Sequence, residues 1–219
     1  MTSLIQTMKK NGLNIDAEYA IVRSSFNGED LSNYSAAGLY NSGISQITPQ
    51  TLYEKIIEIA QSKWSEDAIY SRQQQNIQDA EIKPTIIIQD YIRPEYKFTV
   101  YTNFNNTNKI RIEMYSDEMI DATEVVQPHV FEYDRQTQKL TYKSIQMGYT
   151  SIKFDEDLNI LELDETKYDL TSRPNIFAIL YKLVQNTITI EKEFEHTQDI
   201  EGGFLGDEIY LWQTRNIVK

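Results

Sequence analysis

Residues 97–102 (KFTVYT) and 109–115 (KIRIEMY) alternate apolar and polar side chains with a period of two. That period sends successive side chains to opposite faces of a sheet, so both runs predict half-buried antiparallel strands. Residues 85–92 (TIIIQDYI) are rich in β-branched side chains and predict a buried strand. Residues 123–133 and 139–144 extend the meander. Near the start, residues 18–22 (EYAIV) form a short apolar run ending at Arg23, another predicted buried strand. Helical periodicity lies apart from these strands. Thr48-Pro49 offers a hydroxyl N-cap followed by proline at the first helical position, and apolar spacing carries that helix to about residue 75. A second helix is predicted over 174–194, where Ile176, Ile179, Leu180, Leu183 and Val184 share a face; the β-branched Thr187-Ile188-Thr189-Ile190 weakens its second half. Residues 24–45 predict a long loop with three of the eight glycines, and 155–169 an acidic loop or linker. Residues 198–213 predict two strands joined at Gly206-Asp207. Helices segregated from meandering strands define an α+β fold. A division follows, with a loop-and-helix segment over residues 1–85 and a β-rich part over residues 86–219.

Composition narrows the chemistry. The chain has no cysteine, which excludes disulfides, thiolate nucleophiles and thiolate-bound zinc. No apolar run approaches the roughly 20 residues of a membrane span, and no apolar stretch follows Lys9-Lys10 to make a signal peptide. A cytoplasmic location is the expectation. The net charge of −12, without any basic stripe, argues against a nucleic-acid partner. It leaves nucleotides open, because a few local cations inside an acidic shell are enough to hold a phosphate.

Two polar constellations near opposite ends carry the candidate chemistry. The first is Arg23-Ser24-Ser25, Glu29-Asp30, then Ser35-Ala36-Ala37-Gly38-Leu39-Tyr40-Asn41-Ser42. An arginine at a strand end, followed by a loop of small residues, can hold phosphate through a bidentate guanidinium and backbone N–H groups. The second is Asp199-Ile200-Glu201-Gly202 followed by Tyr210-Leu211-Trp212-Gln213-Thr214-Arg215. Two adjacent antiparallel strands can set Glu201 beside Gln213, offering hard oxygen ligands to Mg²⁺. Arg215, two residues beyond Gln213, falls on the same strand face and can offset charge on a γ-phosphate.

Taken whole, the two strings resemble the ATP-binding domain of the pyruvate phosphate dikinase family, which includes phosphoenolpyruvate synthases and glucan water dikinases. The first is similar to the RSS-x(3)-ED-x(4)-S-x-AG signature, with a GLYNS ending like that of the glucan dikinases. The second is similar to the family's PQDIEG…YxxQxR motif. The resemblance implies the later part of an ATP-grasp-like domain, with mixed and antiparallel sheets flanked by helices. It implies that Arg23, Gly38 and Ser42 meet the ATP phosphates, that Glu201 and Gln213 ligate metal and nucleotide, and that Arg215 clamps phosphate, with Arg23 and Arg215 the catalytic pair. Between them, Ile86-Ile87-Ile88-Gln89-Asp90 stands where the family has an apolar strand lining the adenine pocket, which implies Gln89 at the adenine or ribose. The cofactors implied are ATP and Mg²⁺.

The departures are equally specific. Residues 114–119 stand in place of a glycine-rich GLGE turn, and His196-Thr197 and Asn216 replace residues usual around the second motif. His129 and His196 lack the threonine- and serine-rich surroundings of the family's phosphorylated histidine, so both are structural or exposed. Only 22 residues precede Arg23, and Lys9-Lys10-Asn11-Gly12 does not match the family's glycine-glycine-lysine motif. The expected partners are therefore ATP, an N-terminal ATP-grasp segment and a phosphohistidine domain, with pyruvate, a glucan or another acceptor as the final recipient. The rival reading is a non-catalytic relic of the fold used for protein interaction.

Overall fold

The computed structural model describes residues 2–14, 17–31, 34–35, 38–116, 128–144, 147–154, 160–167, 170 and 173–217. It divides into two compact units, Met1–Ile92 and Arg93–Ile217. Each is a mixture of helix and antiparallel sheet.

The first unit contains α1 (Thr2–Lys10), β1 (Tyr19–Ser24), β2 (Asp30–Leu31), β3 (Tyr34–Ser35), β4 (Ser42–Gln46), α2 (Pro49–Gln61), α3 (Glu66–Gln74) and β5 (Ile86–Asp90). Its main sheet has the order β4-β1-β5, antiparallel throughout, and β2 pairs with β3 in a short ribbon. Ala20 and Val22 of β1 are buried, and they pack with Leu52 and Ile59 of α2, with Ile86 and Ile88 of β5 against them. The pairing of β5 with β1 puts the division between units at Ile92, a few residues beyond the sequence expectation of 85/86.

Several local expectations need correction here. The long loop predicted over 24–45 ends in a strand, because residues 42–46 pair with β1. The buried strand predicted at 85–92 is an edge strand, and Ile87 is 43% exposed. The helix from Thr48 begins as expected, with the Thr48 hydroxyl accepting from the Thr51 N–H, but it does not continue to residue 75. Ser65 is extended (φ −63°, ψ 151°) and caps a new helix, its side chain accepting from the Ala68 N–H. Serine competes for backbone hydrogen bonds and favours a cap over a helix interior.

The second unit contains β6 (Tyr96–Tyr101), β7 (Lys109–Ser116), β8 (His129–Asp134), β9 (Lys139–Ser144), β10 (Met147–Phe154), β11 (Ile160–Lys167), α4 (Ile176–Phe194), β12 (Gln198–Leu205) and β13 (Glu208–Asn216). Its large sheet has the order β13-β12-β6-β7-β8-β9, and every neighbouring pair is antiparallel. Phe98, Val100, Ile110, Ile112, Met114, Phe131, Ile200 and Phe204 form the inner face, covered by Ile176, Ile179, Leu180, Leu183 and Val184 of α4. The weak second half of α4 stays helical, since buried Thr187 continues the apolar face and Thr189 donates its hydroxyl to the Gln185 carbonyl. Tertiary burial of that stripe outweighs the low propensity of Thr187 to Ile190. The acidic linker predicted at 155–169 contains β11, which pairs antiparallel with β10. Residues 117–127 lie outside the described residues, so the place of the family's glycine-rich turn is covered only to Ser116.

Gly202 is the tightest of the glycines in this sheet among the described residues. A Cβ there would come within 2.3 Å of the Tyr210 carbonyl oxygen and 2.5 Å of the Phe98 ring. Backbone cannot yield as a flexible side chain does, so Gly202→Ala is expected to destabilise the second unit by about 1–3 kcal/mol. Thermal unfolding followed by circular dichroism checks this; an unchanged midpoint would show that the close approach is not real.

Candidate functional site

Strand register settles which of the sequence-predicted residues come together within each unit. In the first unit, Arg23 on β1 is the Cα partner of Ser42 on β4 and of Ile87 on β5. One step along, Ile21 is the partner of Ile44 and of Gln89. Residues two apart share a sheet face, so Arg23, Ser42 and Gln89 lie on one face of one sheet, opposite to Ala20 and Val22. That face also carries Ile44 (45% exposed) and Ile87 (43%). Charge and hydroxyl therefore sit in one row, and apolar surface with an amide in the next.

Gly38 is not in the sheet. It lies in the turn before β4 and is exposed, with φ +77° and open space where a Cβ would stand. Its requirement is conformational rather than steric, because left-handed backbone disfavours a side chain. The motif residues around Arg23 have structural partners. Glu29 accepts from the Phe26 N–H at 2.7 Å, and Ser25 donates its N–H to the Thr85 carbonyl at 2.8 Å. Asn27 clamps the next segment by donating to the Glu81 carbonyl and accepting from the Lys83 N–H.

In the second unit, Glu201 on β12 is the Cα partner of Gln213 on β13, and Asp199 is the partner of Arg215. This arrangement depends on a β-bulge. Gly202 pairs with Leu211, so Trp212 is an extra residue in β13. Without it Gln213 would stand opposite Ile200 and turn to the apolar side; the bulge reverses the parity and brings Gln213 and Arg215 to the Glu201 face. The two glycines make room for it, since a Cβ on Gly203 would meet the Trp212 indole and Pro94 at 2.8 Å. The Arg215 guanidinium then donates through one Nη to Glu201 Oε1 at 2.6 Å and to Gln213 Oε1 at 3.2 Å.

The register extends this polar face across the sheet. Asp199 lies beside Tyr101, which lies beside Arg111; Glu201 lies beside Thr99, which lies beside Glu113. Arg111 pairs with Glu113 at 2.7 Å and covers the Phe104 ring at 4.4 Å. Burial pushes the Asp199 carboxyl above its ordinary range; Arg215 opposes this, and Glu201 and Glu113 reinforce it. Its Oδ1 is buried and accepts no hydrogen bond from the protein. Burial, with Asp199 and Glu113 nearby, pushes the Tyr101 hydroxyl up to about 12. Sequence reasoning placed Asp199 in the second constellation but gave it no role, although its signal was present: it stands two residues before Glu201, on the same strand face.

The donor set suits Mg²⁺. Glu201 and Gln213 supply hard oxygens side by side, and Asp199, with its orphaned oxygen, stands two residues from Glu201 on the same strand face. Among the described residues no three acidic or histidine side chains converge as a complete metal cage. Mg²⁺ retains waters and takes phosphate oxygens, so it needs few protein ligands. His129 is fully buried with Nδ1 3.2 Å from the Tyr142 hydroxyl, and His196 is exposed; neither lies on this polar face. Among the described residues no helix is long and apolar enough to cross a membrane.

An antiparallel α+β chain with a strand-borne arginine–serine pair in one unit and a carboxylate–carboxamide–arginine set in the other has the polar equipment of a nucleotide-binding domain. The profile of the family described as pyruvate phosphate dikinase, AMP/ATP-binding domain, matches residues 1–219, and the chain belongs to that family. It is also similar to a probable phosphoenolpyruvate synthase from Archaeoglobus fulgidus, 24% identical over 203 residues. That match covers 91% of this chain and 27% of the relative, so the chain spans about a quarter of the relative's length.

Asp199 gives a direct test of the polar face. Its folded pKa lies above the ordinary value near 3.9, so the folded chain favours the protonated form. The stabilising contribution is full below the ordinary value and is lost as pH rises through the raised one. Asp199→Asn is expected to raise the melting midpoint at pH 7 and to have little effect at pH 3. Carboxyl NMR titration should find Asp199 above the ordinary aspartate value; a value at or below it contradicts this account.

Proposed function

We propose that the chain binds ATP with Mg²⁺ and serves phosphoryl transfer within a dikinase or phosphoenolpyruvate synthase type of enzyme, on an ATP-grasp-like fold. Arg23 and the Ser42 hydroxyl meet phosphate oxygens, with the Gly38 turn allowing close backbone approach. Gln89, beside Ile21 and Ile44, takes the adenine or ribose. Glu201 and Gln213 hold Mg²⁺, and Asp199 supports them as a nearby acid. Arg215 meets the transferring phosphoryl group.

The observation that carries this reading is the bulged register of β12 and β13, which sets Glu201, Gln213 and Arg215 side by side. A strand pair serving only the fold has no use for three charge-bearing or amide side chains held together by a bulge, which speaks against a relic kept for protein interaction. The chemistry asked of these residues is modest. Phosphoryl transfer demands positioning and neutralisation of charge spread over the phosphoryl oxygens. Glu201 and Gln213 would hold Mg²⁺, which when bound would supply neutralisation of negative charge. Arg215 can shift from Glu201 and Gln213 to phosphate oxygens, where its planar fork can bind two oxygens at once. Arg23 anchors the phosphate chain as a fixed, always-charged donor. The acceptor is a histidine on a domain outside this chain, and then pyruvate, a glucan or another acceptor. This matches the relative's much greater length.

Calorimetric titration with ATP in the presence of Mg²⁺ tests the proposal. Arg23→Ala and Arg215→Ala are each expected to weaken ATP binding about tenfold or more, the usual scale for a charge-assisted contact to phosphate. Glu201→Gln is expected to weaken the Mg²⁺-dependent part alone. No measurable ATP binding by the chain, or binding indifferent to all three substitutions, sinks the proposal.

A further inference from the structure

Arg72 is the largest fully buried side chain among the described residues, and nothing in the proposed chemistry uses it. It lies on α3 and is only 1% exposed. A guanidinium so placed costs solvation that its partners must offset. Its partners are specific. Nε donates to Asp79 Oδ1 at 2.7 Å, one Nη donates to the Lys63 carbonyl at 2.8 Å, and the other reaches the Tyr40 hydroxyl at 3.5 Å. Tyr40 lies between Gly38 and Ser42, in the segment assigned to the phosphates.

The same segment is fastened twice more. The Asn41 N–H donates to the Ser62 hydroxyl at 3.1 Å, and Ser62, itself buried, donates to the Ile59 carbonyl at 2.7 Å. The Tyr40 ring packs against Phe26 with centroids 4.6 Å apart, within a small core that includes Ala68 and Ile82. Phe26 follows Arg23-Ser24-Ser25 directly. One apolar contact thus joins the two halves of the first constellation, and two polar contacts tie it to the helices behind.

We propose that Arg72 and Ser62 are positioning residues for phosphate binding: through Tyr40 and Asn41 they fix the turn from Gly38 to Ser42 relative to Arg23. The inference rests on the nucleotide reading and adds to it a support layer that touches no ligand. A loop that must present backbone N–H groups and a hydroxyl to phosphate gains from rigid backing, because misplacement of about 1 Å weakens every contact at once. The effect is confined to the phosphates, since Gln89 lies on β5 and Ile21 on β1, and Ile44, on β4, stands beyond the fastened segment and is held by its pairing with Ile21.

That confinement sets the experiment. Tyr40→Phe removes one hydroxyl and keeps the ring on Phe26; Ser62→Ala removes the acceptor of the Asn41 N–H. ATP with Mg²⁺ and adenosine alone are titrated against the full chain by NMR, which reads millimolar binding, and melting midpoints are recorded. Each variant is expected to lose about fivefold in ATP affinity, with adenosine affinity changed by less than about twofold. Arg72→Lys, which keeps charge without the planar fork, is expected to match Tyr40→Phe; if it does not fold, the two milder variants still decide. Ser62→Thr, which keeps the hydroxyl, should recover ATP affinity lost in Ser62→Ala. Equal losses of ATP and adenosine affinity, tracking a fall in melting midpoint, would mean a purely structural role and overturn the inference. Unchanged ATP affinity in Tyr40→Phe and Ser62→Ala, with Arg23→Ala still weakening ATP, overturns the positioning role and leaves the nucleotide reading standing. ATP binding that is absent, or indifferent to Arg23→Ala, removes both.

Discussion

The extra residue at Trp212 decides which side chains share the polar face of the large sheet. Strands alternate strictly, so one inserted residue exchanges inside for outside over everything beyond it. Before the bulge, Ile209 meets Phe204 on the apolar side; beyond it, Gln213 meets Glu201 and Arg215 meets Asp199 on the polar side. Gly202 and Gly203 tolerate this because they leave room for the Tyr210 carbonyl and the Trp212 indole. The glycine after Glu201 in the family signature therefore has a mechanical meaning here: it lets the sheet carry its bulge next to the acid.

The two units meet the same requirement by different means. In the first, three adjacent strands bring Arg23, Ser42 and Gln89 onto one face although they are spread over 67 sequence positions, and α2 supports the opposite face. In the second, a six-stranded sheet backed by α4 holds acids and arginines in lateral rows. In both, one face is apolar and fixed by a helix, and the other is free to carry charge. That separation lets Asp199, Glu201 and Glu113 lie close together at tolerable cost, with Arg215 and Arg111 interleaved among them. The raised Asp199 carboxyl marks where the compensation is incomplete.

Much of this was legible along the chain. The period-two runs at 97–102 and 109–115 became β6 and β7, the apolar spacing from Ile176 became α4, and Gly206-Asp207 became the turn between β12 and β13. Both polar constellations stood out as strings, and the family they resemble is the family to which the chain belongs. Less legible were elements whose state depends on partners remote in sequence. Residues 42–46 look like loop until β1 lies beside them, and the acidic run at 160–167 looks like linker until it pairs with β10. Ser65 ended a helix that apolar spacing alone would have continued.

The sequence by itself determined the chemical inventory: no thiol, few candidate cations for phosphate, a carboxylate and an amide suited to Mg²⁺, and the periodicities that make strands and helices. These are local properties, fixed by residue type and spacing. Tertiary structure alone decided that Arg23 stands opposite Ser42, that Trp212 is the bulged residue, that Asp199 joins Glu201, and that buried Arg72 backs Tyr40. Each of these is a matter of register or of contact across the fold. The physical reason is that a one-residue shift in pairing reverses every side chain on a strand, and no local propensity records which shift the packed core will select.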